Sequence, residues 1–239
     1  MPSYNKQNSI STYTIDKVLI QHVEDYLKQN VFEILHLETD IQPTYTFDFS
    51  VTLYDSQGIE KYSSIREHKF QYFRNDLKGI TLELELYTEN KNLKITIRFG
   101  DEEENSDIAI SLTDDNAREK VSAIEHGLIS ILNHSKSLNW FFHPNSVISA
   151  LLLLSCLFSG LFALSSDYSV KEKFFFGLAF WTSILYTLII PNYFKKYSSF
   201  DTSKQKQLDK WFTVLVTGLV GFLLFSTLLT SVRKNLFGF

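Results

Sequence analysis

Residues 80–87 read ITLELELY and residues 93–99 read LKITIRF, and these two stretches decide the fold of the N-terminal half. In both stretches apolar and polar side chains alternate, which is the pattern of a β-strand with one buried face. Only residues 88–92 separate them, so we predict an antiparallel hairpin. Residues 44–54 (TYTFDFSVTLY) alternate in the same way, and residues 107–112 predict a further short strand.

Two amphipathic helices flank these strands. Apolar side chains recur on one helical face between residues 15 and 30, and again after the capping sequence Thr-Asp-Asp that starts at residue 113. Runs of strands joined by short turns favour an antiparallel sheet, whose apolar face the two helices can cover. We therefore predict an α+β domain over residues 15–136, between a flexible N-terminus at residues 1–14 and a linker at residues 137–145.

The charge distribution divides the chain into two unlike halves. All 239 residues together carry a formal net charge of −4. Residues 1–140 contain 14 Lys and Arg against 23 Asp and Glu, whereas residues 141–239 contain 9 against 4. This split excludes a single soluble domain and a disordered chain. The acidic half would repel phosphate, so we predict no nucleic-acid partner, and a lone cysteine excludes an intramolecular disulfide.

Three long uncharged apolar runs fill the C-terminal half, at residues 146–166, 174–194 and 211–232. About 20 helical residues cross a hydrocarbon core about 30 Å thick, and no run shows the polar stripe of a soluble helix. We therefore predict a three-helix transmembrane module over residues 146–239, with the lipid bilayer as a partner. Helices buried in a soluble core are the alternative, but they would need a far larger surrounding domain.

The lysines predict how this module is oriented. Residues 1–15 contain no apolar stretch of the kind found in a signal peptide, which favours a cytosolic acidic domain. With three spans, this domain and the lysine-rich loop at residues 195–210 lie on the same side, as the positive-inside rule favours. We expect an integral protein of the bacterial inner membrane, with a cytosolic N-terminal domain and the C-terminus outside.

Small side chains recur at helical spacing within the predicted spans, and they allow helices to approach closely. The candidates for helix packing are Ser155, Ser159, Ala163, Thr217 and Gly221. Two interpretations stay open. The small residues either pack the helices of one chain together, or they mediate self-association into a homo-oligomer or contact with another membrane protein.

Two cationic groups are candidates for binding an anionic ligand or lipid headgroups. The first is interleaved with aromatic residues in the soluble domain and consists of Arg66, His68, Lys69 and Arg74. The second follows the second predicted span and consists of Lys195, Lys196, Lys204, Lys206 and Lys210. An edge element of the sheet is the alternative for the first group. Docking onto the acidic domain is the alternative for the second.

No nucleotide-binding, serine-hydrolase, zinc-protease or CxxC motif occurs in the sequence, so we predict no enzymatic activity, cofactor or metal. The predicted spans contain no ionisable residue, which argues against an autonomous ion-coupled transporter. We expect a multi-pass membrane-anchored protein whose cytosolic domain senses or recruits a ligand or protein partner. Its helices would anchor, oligomerise or act on the membrane, as in a bacterial sensor-effector. A structural or assembly subunit of a membrane protein complex is the alternative.

Overall fold

The N-terminal domain is a layer of helices packed on one face of an antiparallel sheet. The computed structural model describes residues 2–35, 46–69, 71–88, 91–143, 146–165, 168–187, 190, 197–214 and 217–218. The strands are β1 (Ser3–Ser9), β2 (Thr14–Ile15), β3 (Thr46–Tyr54), β4 (Ile59–Tyr62), β5 (Gly79–Tyr87), β6 (Asn92–Gly100), β7 (Asp107–Thr113) and β8 (Ser199–Phe200). The helices are α1 (Lys17–Lys28), α2 (Asn30–Ile34), α3 (Ala117–Asn133), α4 (Ser146–Leu164) and α5 (Val170–Ile184).

Six strands form the main sheet in the order β1-β7-β6-β5-β3-β4, and every neighbouring pair is antiparallel. The predicted hairpin is β5–β6, in which Leu82 lies opposite Ile97. Both residues are fully buried, whereas Glu83 and Glu85 point to the opposite, polar face of the sheet and are only half-buried. The alternation read from the sequence is therefore the alternation between core and solvent, and the α+β fold with an antiparallel sheet is confirmed.

The two longer helices of the domain, α1 and α3, bury their apolar sides in the same core as the sheet. Asp16 begins α1, because its side chain accepts a hydrogen bond of 2.7 Å from the backbone N–H of Leu19. The buried apolar residues of the two helices are Leu19, Ile20, Val23, Leu27, Ala117, Val121, Ile124, Leu128 and Leu132. These are the two amphipathic patterns that the sequence contains.

One carboxylate, that of Glu24, is buried on the inner side of α1. It lies 2.7 Å from the ammonium of Lys28 and accepts a 3.0 Å hydrogen bond from the backbone N–H of Ile65. Burial alone would raise the pKa of Glu24, but hydrogen bonds from Lys28, Ser64 and Ile65 outweigh it and lower the pKa. The ionised carboxylate therefore ties α1 to the loop after β4.

The N-terminus differs from the sequence prediction of a flexible segment over residues 1–14. Ser3–Ser9 forms β1 and pairs with β7 over its whole length. The strand went unrecognised because its sequence, SYNKQNS, has no run of alternating apolar residues. Instead, the side chains of Lys6 and Asn8 both bind the carboxylate of Glu125 on α3, which fixes the strand by polar contacts.

The segment predicted as a linker, residues 137–145, contains a 3-10 turn among its described residues. α3 ends at Asn133, a 3-10 turn covers Leu138–Phe142, and α4 begins at Ser146. α4 and α5 then form an antiparallel hairpin, in which Phe162 lies 5.3 Å from Phe176 between ring centroids. A capping box formed by Ser169 and Glu172 begins α5 and closes the turn.

The described residues contain one helix that is long and apolar enough to cross a membrane. It spans Val147–Leu164 in α4, with a mean hydropathy of 2.5. α5 has 15 residues, and its first turn carries Lys171, Glu172 and Lys173. Its described residues are therefore not a second helix of comparable length and apolarity. Of the third predicted span only residues 211–214 and 217–218 are described. The structure therefore shows one candidate span and not the three-helix module that the sequence predicted.

Candidate functional site

The structure joins the polar chain that follows α5 to the N-terminal domain. We call residues 197–202 the docking segment. Its strand β8 runs parallel to β2, apart from the main sheet. The backbone N–H of Ser199 donates to the carbonyl of Tyr13 at 2.9 Å, and that of Asp201 donates to the carbonyl of Ile15 at 2.8 Å. Residues about 185 positions apart in the chain are thus hydrogen-bonded neighbours.

Further hydrogen bonds hold both ends of the docking segment. The backbone N–H of Tyr197 donates to the carbonyl of Asp101 at 3.2 Å, and its hydroxyl donates to the carbonyl of Ile10 at 2.8 Å. At the other end, the backbone N–H of Phe73 donates to the carbonyl of Asp201 at 3.2 Å. Three separate parts of the domain therefore contact the segment through their backbone.

The docking segment is also buried. Ser198 is fully buried, and its Oγ lies 3.4 Å from Oγ of Ser106. Phe200 is 5% exposed and belongs to the same apolar core as the sheet and the helices of the domain. A connection between two predicted membrane helices thus supplies a core side chain to the N-terminal domain.

The helix that follows, residues 203–214, is fixed at its start by the domain. The hydroxyl of Thr202 accepts a 3.0 Å hydrogen bond from the backbone N–H of Gln205, which is an N-cap contact. Oδ1 of Asn75 accepts a second one, at 2.9 Å, from the backbone N–H of Lys204. The domain and the docking segment therefore share the capping of this helix.

The predicted lysine-rich group is divided by the structure. Lys206 lies 2.9 Å from the carboxylate of Asp201, and its ammonium lies 4.1 Å from the ring centroid of Tyr72. The hydrogen bond that Lys206 donates to the carboxylate of Asp201 raises the pKa of Lys206. Lys204 and Lys210 are exposed, as is Lys206. The remaining two members, Lys195 and Lys196, lie outside the described residues.

An aromatic cluster lies where the chain leaves the domain. The ring of Phe142 lies 6.1 Å from that of Tyr186 and 5.8 Å from that of Phe212, between centroids. The hydroxyl of Tyr186 donates to the carbonyl of Phe141. The cluster joins the residues before α4, the helical residues that continue α5 and the 203–214 helix, so the two open ends of the α4–α5 hairpin meet at the helix that follows the docking segment.

The candidate packing residues differ in how deeply they are buried. Ser159 is buried and its hydroxyl donates to the carbonyl of Cys156 at 2.9 Å, while Sγ of Cys156 lies 3.8 Å from the carbonyl of Phe180 on α5. Ala163 is half-buried, but Ser155 is exposed. The interface within the hairpin thus uses part of the small-residue pattern. Thr217 is exposed, and Gly221 lies outside the described residues.

The first cationic group is largely neutralised by carboxylates that the sequence pattern does not reveal. One guanidinium nitrogen of Arg66 lies 2.8 and 2.9 Å from the two carboxylate oxygens of Asp25. Arg74 lies 3.2 Å from Asp55 and 3.4 Å from Asp76. These two arginines connect the loops of the domain to α1 and to the β3–β4 turn.

The other members of that group point in different directions. His68 is buried between the rings of Tyr62 and Phe73, at centroid distances of 5.9 and 5.8 Å, whereas Lys69 is exposed. The region is not an edge strand of the main sheet either, because Phe73 forms an isolated bridge with Thr202 of the docking segment. Sequence reasoning missed this contact, and the only signal was an aromatic pair, Tyr197 and Phe200, within a polar loop.

An acidic cleft of about 730 Å³ adjoins the docking segment at Ser106. It is lined by Gln7, Ser9, Glu102, Glu104, Ser106 and Asp107. Arg98 makes two hydrogen bonds to Asp107, at 2.6 and 2.8 Å, and thereby lowers the pKa of that carboxyl group. Among the described residues, no group of three or more His, Cys, Asp or Glu side chains is arranged to hold a metal ion.

Comparison with known proteins adds no assignment, because no family model, no curated protein and no solved structure matches the chain. The candidate functional site is therefore the junction formed by the docking segment, the 203–214 helix and the aromatic cluster.

Proposed function

We propose that the chain is a non-enzymatic, membrane-anchored protein whose soluble domain senses or recruits a ligand or protein partner. In this proposal the docking segment transmits a conformational change in the domain to the helices. The observation that carries the proposal is Phe200, which fills the domain core from a segment that lies between α5 and the apolar run at residues 211–232. A movement of β2 relative to β8 would shift the docking segment, which leads directly into the 203–214 helix.

The docking segment also restricts the possible membrane topologies. Because β2 and β8 are hydrogen-bonded, they lie on the same side of any bilayer. The chain between them passes through the α4–α5 hairpin, so either both helices cross or neither does. The 19 residues of α4 span about 28 Å, close to the thickness of a hydrocarbon core of about 30 Å. We propose that both cross and that residues 211–232 form a third span.

The proposed orientation puts the domain in the cytosol of a bacterium and the C-terminus outside the inner membrane. Site-directed labelling tests it in a Cys156→Ser background. Gln207 is a suitable cytosolic position, because it is exposed on the 203–214 helix, whereas Ser199 is buried and would resist reagents on either side. On intact cells, an impermeant maleimide should label Phe239→Cys and leave Gln207→Cys unlabelled until the membrane is permeabilised.

Two results would contradict this proposal in different ways. Labelling of Gln207→Cys but not Phe239→Cys on intact cells would invert the orientation. Identical labelling of both positions would place them on one side and exclude a third crossing between them. Extraction of the unmodified chain from membranes by alkaline carbonate would exclude integral anchoring altogether.

A structural or assembly subunit is the second candidate, and the exposed side of α4 favours it. Ser155 and several leucines of α4 are exposed beside the face that packs on α5. Small residues on such a face permit close contact with a helix of another membrane protein. Stoichiometric co-purification of a membrane partner that is lost in Ser155→Leu, but retained in Leu157→Ile, would favour this candidate over the sensor.

A further inference from the structure

We infer that the exposed cationic side of the 203–214 helix binds anionic phospholipid headgroups. This inference rests on the membrane anchoring proposed above and assigns a partner to one surface of the junction. The surface consists of Lys204, Lys210 and Trp211. The structure leaves all three side chains exposed, with Trp211 at 70%.

The helix presents different residues to the domain and to its surroundings. Phe212 contacts the aromatic cluster through Phe142, and Lys206 is bound to Asp201. Lys204 and Trp211 are seven positions apart, which places them on the same side of an α-helix after two turns. Lys210 lies next to Trp211 in the chain, and the apolar run begins there. Lys204 and Trp211 thus share one side of the helix, and Lys210, about 100° further round the axis, widens the same exposed surface.

The chemistry of these three side chains suits the headgroup region of a bilayer. Tryptophan favours that region because its ring is apolar and its N–H is polar. A lysine at the end of an apolar helix extends its ammonium to the headgroups. Lys204 lies about 9 Å before Lys210 along the helix axis, which is close to the screening length of about 8 Å at physiological ionic strength.

Charge complementarity selects anionic lipid as the partner. Residues 1–140 carry a net charge of −9, so the body of the domain is repelled by an anionic leaflet. The exposed lysines of the 203–214 helix lie between that domain and the proposed third span. Because Asn75 and Thr202 hold the start of this helix, headgroup binding at Lys210 also stabilises the docked position of β8.

Quenching of tryptophan fluorescence by brominated lipids tests the surface directly. The full chain carries Trp140→Phe and Trp181→Phe, which leaves Trp211 as the only reporter, and it is reconstituted into vesicles. Brominated phosphatidylglycerol is compared with brominated phosphatidylcholine at low salt. Each lysine near the surface contributes about fivefold to the preference for the anionic lipid, so Lys210→Gln should lower the relative binding constant by about fivefold and Lys204→Gln/Lys210→Gln by about 25-fold.

The matched control is Lys61→Gln/Lys78→Gln, which removes the same charge from exposed positions in the domain. Loss of the preference in the helix variant, with the preference retained in the control, is the expected result. Equal preference in wild type and helix variant, or equal loss in the control, would overturn the inference and leave the proposed anchoring intact. If no brominated lipid quenches Trp211, both this inference and the anchoring of the third span are overturned.

Discussion

Replacement of Phe200 by alanine should release the docking segment from the domain. Phe200 is 5% exposed and packs in the core that the sheet and helices share. Its truncation removes a buried aromatic ring and leaves a cavity that the core can only partly fill. Such a change costs about 3–5 kcal/mol of stability.

That cost falls mainly on the docked state of β8, because the ring belongs to the segment and not to the strands of the main sheet. A loss of 3–5 kcal/mol corresponds to an equilibrium constant for opening that rises by about 150-fold to about 4,000-fold. If docking is worth less than this, the segment is released completely. The α4–α5 hairpin should stay folded, because Phe200 takes no part in its packing.

Hydrogen exchange of the full chain in nanodiscs measures the effect. The backbone N–H groups of Ser199 and Asp201 donate to carbonyls of the domain, so both should exchange slowly in the wild type and faster in Phe200→Ala by the factor above. Ile59→Ala is the matched control, since Ile59 is 68% exposed and its truncation should leave exchange in the docking segment unchanged. Unchanged protection of Ser199 and Asp201 in Phe200→Ala would refute the reasoning.

Three further predictions concern the packing around the junction. Tyr197→Phe deletes the hydroxyl that donates to the carbonyl of Ile10 and should weaken docking by about 1 kcal/mol, measured as faster exchange of the same amides. Glu24 has a lowered pKa, so its contribution to stability is fully present above pH 4.5, the ordinary value, and is lost as the pH falls through its folded-state pKa. The denaturation midpoint should therefore decline on the acid side, and less steeply in Glu24→Gln. Gly160→Val should separate α4 from α5, because an added Cβ would lie 3.1 Å from the ring of Phe180. Protease cleavage in the hairpin should therefore rise. Gly177→Val is the control, since an added Cβ there would meet open space and should have no such effect.

The main sheet was predictable because its strands are long enough to show a period. In β5 and β6, nine residues each alternate between a buried and a polar side, and no other regular structure has that period. β1 was missed because Lys6 and Asn8 are held by Glu125 on a distant helix, and such a polar contact leaves no hydrophobic pattern in the strand itself.

The junction could not be predicted from the sequence, for a different reason. β2 and β8 have two residues each, too few for a period, and their pairing closes a loop across most of the chain. The sequence did predict that the lysine-rich loop and the acidic domain share a side, and charge suggested that they meet. The docking contacts are, however, mainly backbone hydrogen bonds and the burial of Phe200. Of the described lysines of the lysine-rich loop, Lys206 alone forms an ion pair.

Disulfide trapping between β2 and β8 tests the central claim most directly. Thr14 and Ser199 are register partners in neighbouring strands, which lie about 4.8 Å apart, within the Cα separation that a disulfide spans. In a Cys156→Ser background, isolated membranes containing Thr14→Cys/Ser199→Cys should form an intramolecular disulfide on mild oxidation, whereas Lys61→Cys/Ser199→Cys should not. Absence of the Thr14–Ser199 crosslink, or its formation only at the rate of the control pair, would contradict a docking segment that ties the soluble domain to the helices.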